Sequence, residues 1–373
     1  MNSNTINKRI TSIDALRAFT LLGILLVHAR LGFGWGGVKS VYIFDYTLKW
    51  IIKYLLEGRC MLIFNVLFGV SFFIILSKGN YPPLKFVRRC ILLSILGLIN
   101  KYFYNNDVLL IYGICGMALV CIRHLSNKKI IGLIVTLIVV GFVLKYFGIG
   151  KYCIMETPPF SGNSIIHQHN IDYLPSLMII VAATLDGDLL FVFSNMAIGY
   201  LLGKVGFIES MDKRVRFKHV LLLGLLYMIM GVIFFFGKRS SIISNPIVNP
   251  IITEILYYSG SAFYWITFIY TYNKISWFNH FTSHFEPYGK LGLTNYTLQG
   301  FFGVLFFSVL GLYHIHLPLS MVFLISIIFF SIQTVFSTIW IKYFKNGPLE
   351  YLWRSATEKK WLPFLNNSHF SPE

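Results

Sequence analysis

Residues 9–34 read RITSIDALRAFTLLGILLVHARLGFG. A charged, capped helix start runs into about twenty mostly apolar residues, the length needed to cross a bilayer. At about 100° per residue, the eleven steps from Arg17 to His28 make three turns plus roughly 20°, so both fall near one face together with Asp14. The same arithmetic sets His28 about 16 Å further along the axis than Arg17, roughly half of a ~30 Å hydrocarbon layer. Ionisable groups at that depth face a cavity or a partner rather than lipid. This helix is therefore expected to be central, with the rest of the chain enclosing its polar face.

Composition agrees. Mean hydropathy is +0.67 and only 13% of residues are charged, against about 25% in a soluble domain. The expected fold class is all-α, a polytopic integral membrane protein forming one domain over 1–373. Ten apolar runs lie near 15–34, 60–77, 88–104, 108–123, 130–149, 188–206, 219–237, 251–273, 291–312 and 319–342. The third and fourth are short and nearly contiguous. Segment 41–57, VYIFDYTLKWIIKYLLE, mixes aromatics with Lys49 and Lys53 and reads as an outer interfacial helix.

Net charge is +17. With both termini inside, 22 of the 32 Lys and Arg fall on the cytoplasmic side, the bias expected of cytoplasmic loops. Charge is thereby explained by anionic lipid, without nucleic acid. The longest loop, 150–187, is expected outside, capping an outward cavity, and 346–373 as a cytoplasmic juxtamembrane tail. Localisation follows as the bacterial cytoplasmic (inner) membrane. The five cysteines follow no metal or redox spacing and read as packing residues. His167 and His169, like His314 and His316, have i,i+2 spacing without a third ligand, so no metal site is expected. No cleavable signal is expected, because the first apolar run is too long.

His28 is the first candidate for chemistry, as a general base; the bland alternative is a histidine bonded to a neighbouring helix. Arg17 suits a phosphate or carboxylate, or is a snorkelling charge. Asp14 reads as a helix cap, a partner of Arg17 or a catalytic neighbour of His28. Arg88 and Arg89, beside Lys85, form a basic cluster suited to the phosphates of a donor such as coenzyme A, or a positive-inside anchor. Glu57 and Arg59 read as an ion pair or as substrate contacts at the outer entrance of the second span. Asp107 caps the next helix or faces the same cavity as His28. Asn295 and Gln299, four apart in YGKLGLTNYTLQG (288–300), are interhelical glue or substrate-orienting amides.

Four stretches together carry a resemblance: RITSIDALRAFTLLGILLVH, LFGVSFF, FVRRCILLSILGLI followed by NDVLLIYG, and YGKLGLTNYTLQ with the closing FKNGPLEYLWR. They resemble the YeiB-like membrane proteins, the family of domain of unknown function 418, over nearly the whole chain. That family is placed near the transmembrane acyltransferases. The acyltransferase-three family has an Arg, ten residues, then an essential His in its first span, a spacing that Arg17 and His28 match. The resemblance implies His28 as the catalytic base, with Arg17 and Arg88 holding an acyl donor such as acetyl-CoA. Two positions depart from the pattern. Many YeiB-like proteins carry Asn where this chain has His28, and Asn100 stands where they usually carry His.

The expected function is a membrane acyltransferase moving an acyl group from a cytoplasmic acyl-CoA-type donor to an extracytoplasmic, lipid or glycan hydroxyl. Membrane lipid is a partner, no cofactor is covalently bound, and a dimer is compatible. The rival readings are a proton-coupled transporter of a small organic solute and a non-catalytic lipid- or cofactor-binding membrane protein.

Overall fold

The chain breaks into helices because its apolar runs are punctuated by Gly, Pro, Asn and basic clusters. A computed structural model describes residues 11–34, 38–77, 81–103, 107–147, 187–208, 210–237 and 248–366. Every one of the ten apolar runs is helical there. They are α1 (Thr11–Arg30), α3 (Arg59–Leu76), α4 (Pro83–Phe103), α5 (Leu109–Ile122), α6 (Asn127–Phe147) and α7 (Asp188–Lys204). Then come α8 (Phe217–Gly237), α9 (Val248–Lys274), α12 (Gly292–Gly303) and α13 (Leu319–Tyr343). Shorter pieces join them: α2 (Ile43–Ile51), α10 (Ser276–Ser283), α11 (Glu286–Lys290) and α14 (Pro348–Glu358). The protein is an all-α membrane protein. Among the described residues, five helical segments are long and apolar enough to cross a bilayer, namely α1, Ile43–Leu76, Asn127–Lys145, α8 and α13.

Helix α1 is the hub, as its sequence predicts. In its most apolar window 72% of residues are buried, against none in α8. α8 exposes Leu221, Leu222, Met228, Phe235 and Phe236. Among the described residues α8 packs on α9, with Tyr227 against Phe263 and Tyr264, and the apolar surface it leaves uncovered matches a hydrocarbon surround. Around α1 pack α3, α9, α10, α11, α12 and α13. One hydrophobic core joins Leu21 and Leu25 of α1 to Phe64, Phe86, Tyr112, Met196, Tyr288, Phe302 and Phe330. A second gathers Leu16, Ile63, Val66, Trp265 and Ile269 nearer the Asp14 end.

α3 and α7 cross closely because each offers glycine to the other's backbone. A Cβ on Gly69 would stand 1.9 Å from the Met196 carbonyl oxygen, and one on Gly199 would stand 2.0 Å from that of Val66. Small residues at such crossings let dispersion act where lipid leaves little hydrophobic drive between helices.

The segment expected to be interfacial is α2, which runs through a π-helical stretch, Ile52–Leu56, before α3 starts after Gly58. Ile43, Phe44, Tyr46 and Trp50 are exposed, the pattern of a helix lying in a headgroup layer. Its inner face carries Asp45, fully buried, which accepts the N–H groups of Val41 (2.8 Å), Tyr42 (2.9 Å) and Ser320 (2.8 Å). Asp45 thereby pins the start of α2 to the start of α13. A two-residue parallel pairing, Val38–Lys39 with Leu317–Pro318, adds a small β element to a chain read as wholly helical. Residues 346–373, expected as a juxtamembrane tail, begin with α14, which docks on α4 and α12. The long loop at 150–187, with His167, His169 and Cys153, lies outside the described residues apart from Gly187.

Candidate functional site

Asp14 and Arg17 come together as one turn of helix requires. Arg17 Nη1 donates to Asp14 Oδ1 at 2.8 Å and to the Gly289 carbonyl at 3.3 Å, while Nη2 donates to Ser71 Oγ at 3.2 Å. The approach of α11 depends on glycine, since a Cβ on Gly289 would stand 1.9 Å from the Asp14 carbonyl oxygen. The two stretches RITSIDALRAFT and YGKLG, far apart in sequence, therefore meet at the Arg17 guanidinium. Three of its hydrogen bonds are internal, so Arg17 locks α1 to α3 and α11 as well as carrying charge.

His28 lies near the other end of α1, half-buried, with its ring 6.4 Å from that of Phe33 in an edge-on arrangement. Phe33 holds a left-handed conformation at φ 53° and is buried against Phe302 and Phe307. A bulky residue at positive φ is uncommon and costs of order 1–3 kcal/mol. Opposite it, α12 passes into a π-helical stretch at Val304–Val309. His28 thus neighbours Phe33, which itself packs on the π-helical stretch through Phe307, and backbone irregularities of these kinds gather at functional sites.

Asp107 caps α5 by accepting the Leu109 N–H at 3.0 Å, the bland reading of its sequence. It also accepts from Asn100 Nδ2 at 2.7 Å. The Tyr296 hydroxyl closes the cluster by accepting the Val108 N–H at 3.3 Å. Asn100, where the resemblance leads one to expect His, is thus the amide partner of this carboxylate. Beyond it, the Tyr112 hydroxyl donates to Asn65 Oδ1 in the same buried region.

At the Arg17 end of the bundle, α14 covers much of the basic cluster. Arg89 stacks on Trp353, its guanidinium carbon 3.9 Å from the ring centroid, while Trp353 Nε1 donates to the Arg89 carbonyl at 2.8 Å. Lys85 pairs with Glu358 at 2.5 Å. Arg88 is half-buried, and its Nε has no hydrogen-bond partner among the described residues. Next to α14 a cavity of about 240 Å³ is lined by Lys290, Lys345, Arg354, Asn346, Asn366 and Glu350 among others. Three cations face one carboxylate there.

That carboxylate is structurally committed. Glu350 accepts the N–H groups of Leu293 (2.8 Å) and Thr294 (3.1 Å) and the Thr294 hydroxyl, satisfying the N-terminus of α12. Burial pushes its carboxyl above the ordinary range, although the Thr294 and Leu293 donors pull the other way. Glu350 and Trp353 are site residues that composition and spacing do not single out; their place in the closing motif GPLEYLWR is the available signal.

Asn295 and Gln299 sit in one buried amide network. Asn295 Nδ2 donates to the Tyr288 carbonyl and to Ser337 Oγ, both at 3.0 Å, and Gln333 Nε2 returns a bond to the Asn295 carbonyl at 3.1 Å. Gln299 Nε2 donates to the Tyr288 hydroxyl at 3.1 Å and the Leu21 carbonyl at 3.3 Å. This matches the interhelical-glue reading, joining α1, α11, α12 and α13. Glu57 forms its ion pair with Arg30, at 2.9 Å, rather than with Arg59. The reason is geometric: Arg59 turns inward, almost wholly buried, and Nη1 reaches only the Glu57 carbonyl oxygen at 3.1 Å.

Residues 202–360 match a family model described as a protein of unknown function, DUF418. Over 98% of each chain, the sequence is 26% identical to the "uncharacterized 39.9 kDa protein in amylase 3'region" of Bacillus acidopullulyticus. It is 25% identical to YxaH of Bacillus subtilis (strain 168), over 97% of both chains. It is 24% identical to YeiB of Escherichia coli (strain K12), over 97% of this chain and 99% of that one. No solved structure matches.

Proposed function

From the premise that this chain is a YeiB-like membrane protein of the DUF418 family, we propose that it is a transmembrane acyltransferase. In this reading all ten long helices cross the inner membrane of a bacterium, with both termini in the cytoplasm. The observation that carries it is the half-buried His28, eleven residues beyond an Arg17 that Asp14, Ser71 and Gly289 hold in place. It stands beside the strained Phe33.

The donor is an acyl-CoA whose phosphates meet the cations of the Arg17 end. Arg88 and the cavity of Lys290, Lys345 and Arg354 are better placed for this than Arg89, which is stacked on Trp353. Arg17 orients α1, and Asp14 orients Arg17. The ~16 Å of helix between Arg17 and His28 suits a long arm between phosphates and thioester. His28 takes the proton of an acceptor hydroxyl as its oxygen attacks the thioester carbonyl. The C–S bond then breaks, and the imidazolium returns the proton to the leaving thiolate. Asp107, Glu57 and Arg59 stand nearer the acceptor side, and Asn295 and Gln299 hold the wall between the helices.

The test uses full-length protein in proteoliposomes with radiolabelled acetyl-CoA inside and candidate hydroxyl acceptors outside. His28→Ala should lower transfer by roughly 10²–10⁴-fold, the usual contribution of a general base, while melting temperature and insertion stay at wild-type values. Near-wild-type transfer by that variant would sink the mechanism. Solute uptake that depends on a pH gradient, without covalent product, would favour a transporter instead.

A further inference from the structure

At the Arg30 end, a second cavity of about 190 Å³ is lined by Lys53, Tyr54, Arg59, Phe234, Asn249, Thr253, Leu256 and Tyr257. Arg59 is only 1% exposed. Its guanidinium is held between the rings of Tyr227, at 5.4 Å, and Tyr257, at 5.2 Å. Gly260 makes room for it, since a Cβ there would stand 2.8 Å from Arg59 Nε. Among the described residues, no carboxylate pairs with Arg59, and Nε has no hydrogen-bond partner. Glu57, two residues away in sequence, is paired with Arg30, and Glu254, next to the cavity-lining Thr253, is paired with Lys145.

A buried cation without a counter-ion is costly. Two aromatic faces and the Glu57 carbonyl, which accepts from Nη1 at 3.1 Å, offset part of that cost, but they leave the charge and the Nε–H uncompensated. The cavity adds a second cation, Lys53, which reaches over the Tyr54 ring at 5.6 Å and has no carboxylate partner among the described residues. Thr253 Oγ1 donates to Asn249 Oδ1 at 3.2 Å, which leaves the Asn249 amide N–H groups for a ligand. Phe234 and Leu256 give the same cavity an apolar wall.

We propose that this cavity binds an oxyanion of the phosphate-ester class, with the Arg59 guanidinium and the Lys53 ammonium as its counter-charges. The fork of Arg59 suits two phosphate oxygens, and Lys53 supplies a point charge at the rim. The aromatic and aliphatic wall suits a phosphate that carries an organic substituent. The source is either a phospholipid headgroup or a free phosphate compound. The site stands whether or not His28 transfers an acyl group.

Purified full-length protein in neutral detergent tests this. Melting temperature is followed while phosphatidylglycerol, or separately inorganic phosphate, is titrated against matched sodium chloride. A ligand that binds only the folded state raises the melting temperature in a saturable way. A rise with phosphatidylglycerol alone identifies a lipid headgroup; a rise with phosphate as well identifies a small oxyanion; both support the site. Lys53→Ala should weaken the half-saturating concentration by roughly two- to fivefold, as one exposed cation does. Arg59→Gln should abolish the response. The proposal is overturned if neither probe exceeds chloride, or if folded Arg59→Gln keeps the wild-type response. Should Arg59→Gln fail to fold, an unchanged response in Lys53→Ala overturns it.

Discussion

Single side chains at the two ends of α1 do different work. Arg17 is bound to Asp14, Ser71 and Gly289 and so ties α1 to α3 and α11, whereas His28 is half-buried with the Phe33 ring edge-on beside it. Removing Arg17 should therefore unfasten the bundle, and removing His28 should not. Arg17→Ala takes the Nη1 donor away from buried Asp14, and breaking such a pair costs about 3–5 kcal/mol when fully buried. Because Arg17 keeps a fifth of its side chain exposed, the expected loss is at the lower end of that range. Thermal unfolding in detergent reads it, with Arg17→Lys expected to recover only part, since one ammonium cannot reproduce the fork. His28→Ala should melt within a degree or two of wild type, so activity and stability separate at these two positions.

Elements are joined at the Arg17 end by a few buried polar contacts from α14. Glu350 holds two backbone N–H groups of α12, and Trp353 covers Arg89 of α4. Glu350→Ala should cost about 1–3 kcal/mol by leaving those donors unpaired in a buried place. Glu350→Gln keeps an acceptor and should cost less. The pH dependence has a definite sign. Burial raises the Glu350 carboxyl above its ordinary range, so its favourable contribution is complete below the unfolded value and falls as pH rises through the raised one. Glu350→Gln should flatten that part of the stability profile; an unchanged slope would remove Glu350 from the account. Trp353→Ala should make α14 susceptible to limited proteolysis, because a short amphipathic helix owes its order to docking.

Across the whole molecule, helix crossings made by glycine fix how closely the bundle closes. Gly199→Leu would force its side chain into the Val66 carbonyl, and overpacking of this kind costs about 1–3 kcal/mol or more. The expected result is poor yield of monodisperse protein and a lower melting temperature, whereas Gly231→Leu on α8, with open space around it, should be neutral. The exposed apolar length of α8 carries the membrane reading at this scale, since no other surround satisfies so much apolar surface. Cysteine-labelling at the ends of α6 and α9 would report whether every helix crosses. Labelling of consecutive loops from one side only would reject the ten-span serpentine.

Hydropathy alone determined that this is a helical membrane protein and where each apolar run lies, and helical spacing that Asp14, Arg17 and His28 fall near one face of α1. Those features depend on local composition and helical periodicity, which a sequence displays directly. Periodicity also brought Asp14 to Arg17 and placed His28 a half-membrane away. Partner choice across helices was decided only by tertiary structure. Glu57 went to Arg30 because α3 turns Arg59 inward between two tyrosines. Arg89 went under Trp353, and Glu350 to α12, because α14 folds back on the bundle. Such pairings join residues up to 264 positions apart, and no spacing rule encodes them. The opening helix supplied the polar face; the packing of α11, α12 and α14 against it and its neighbours decided which charges on that face are spent and which remain.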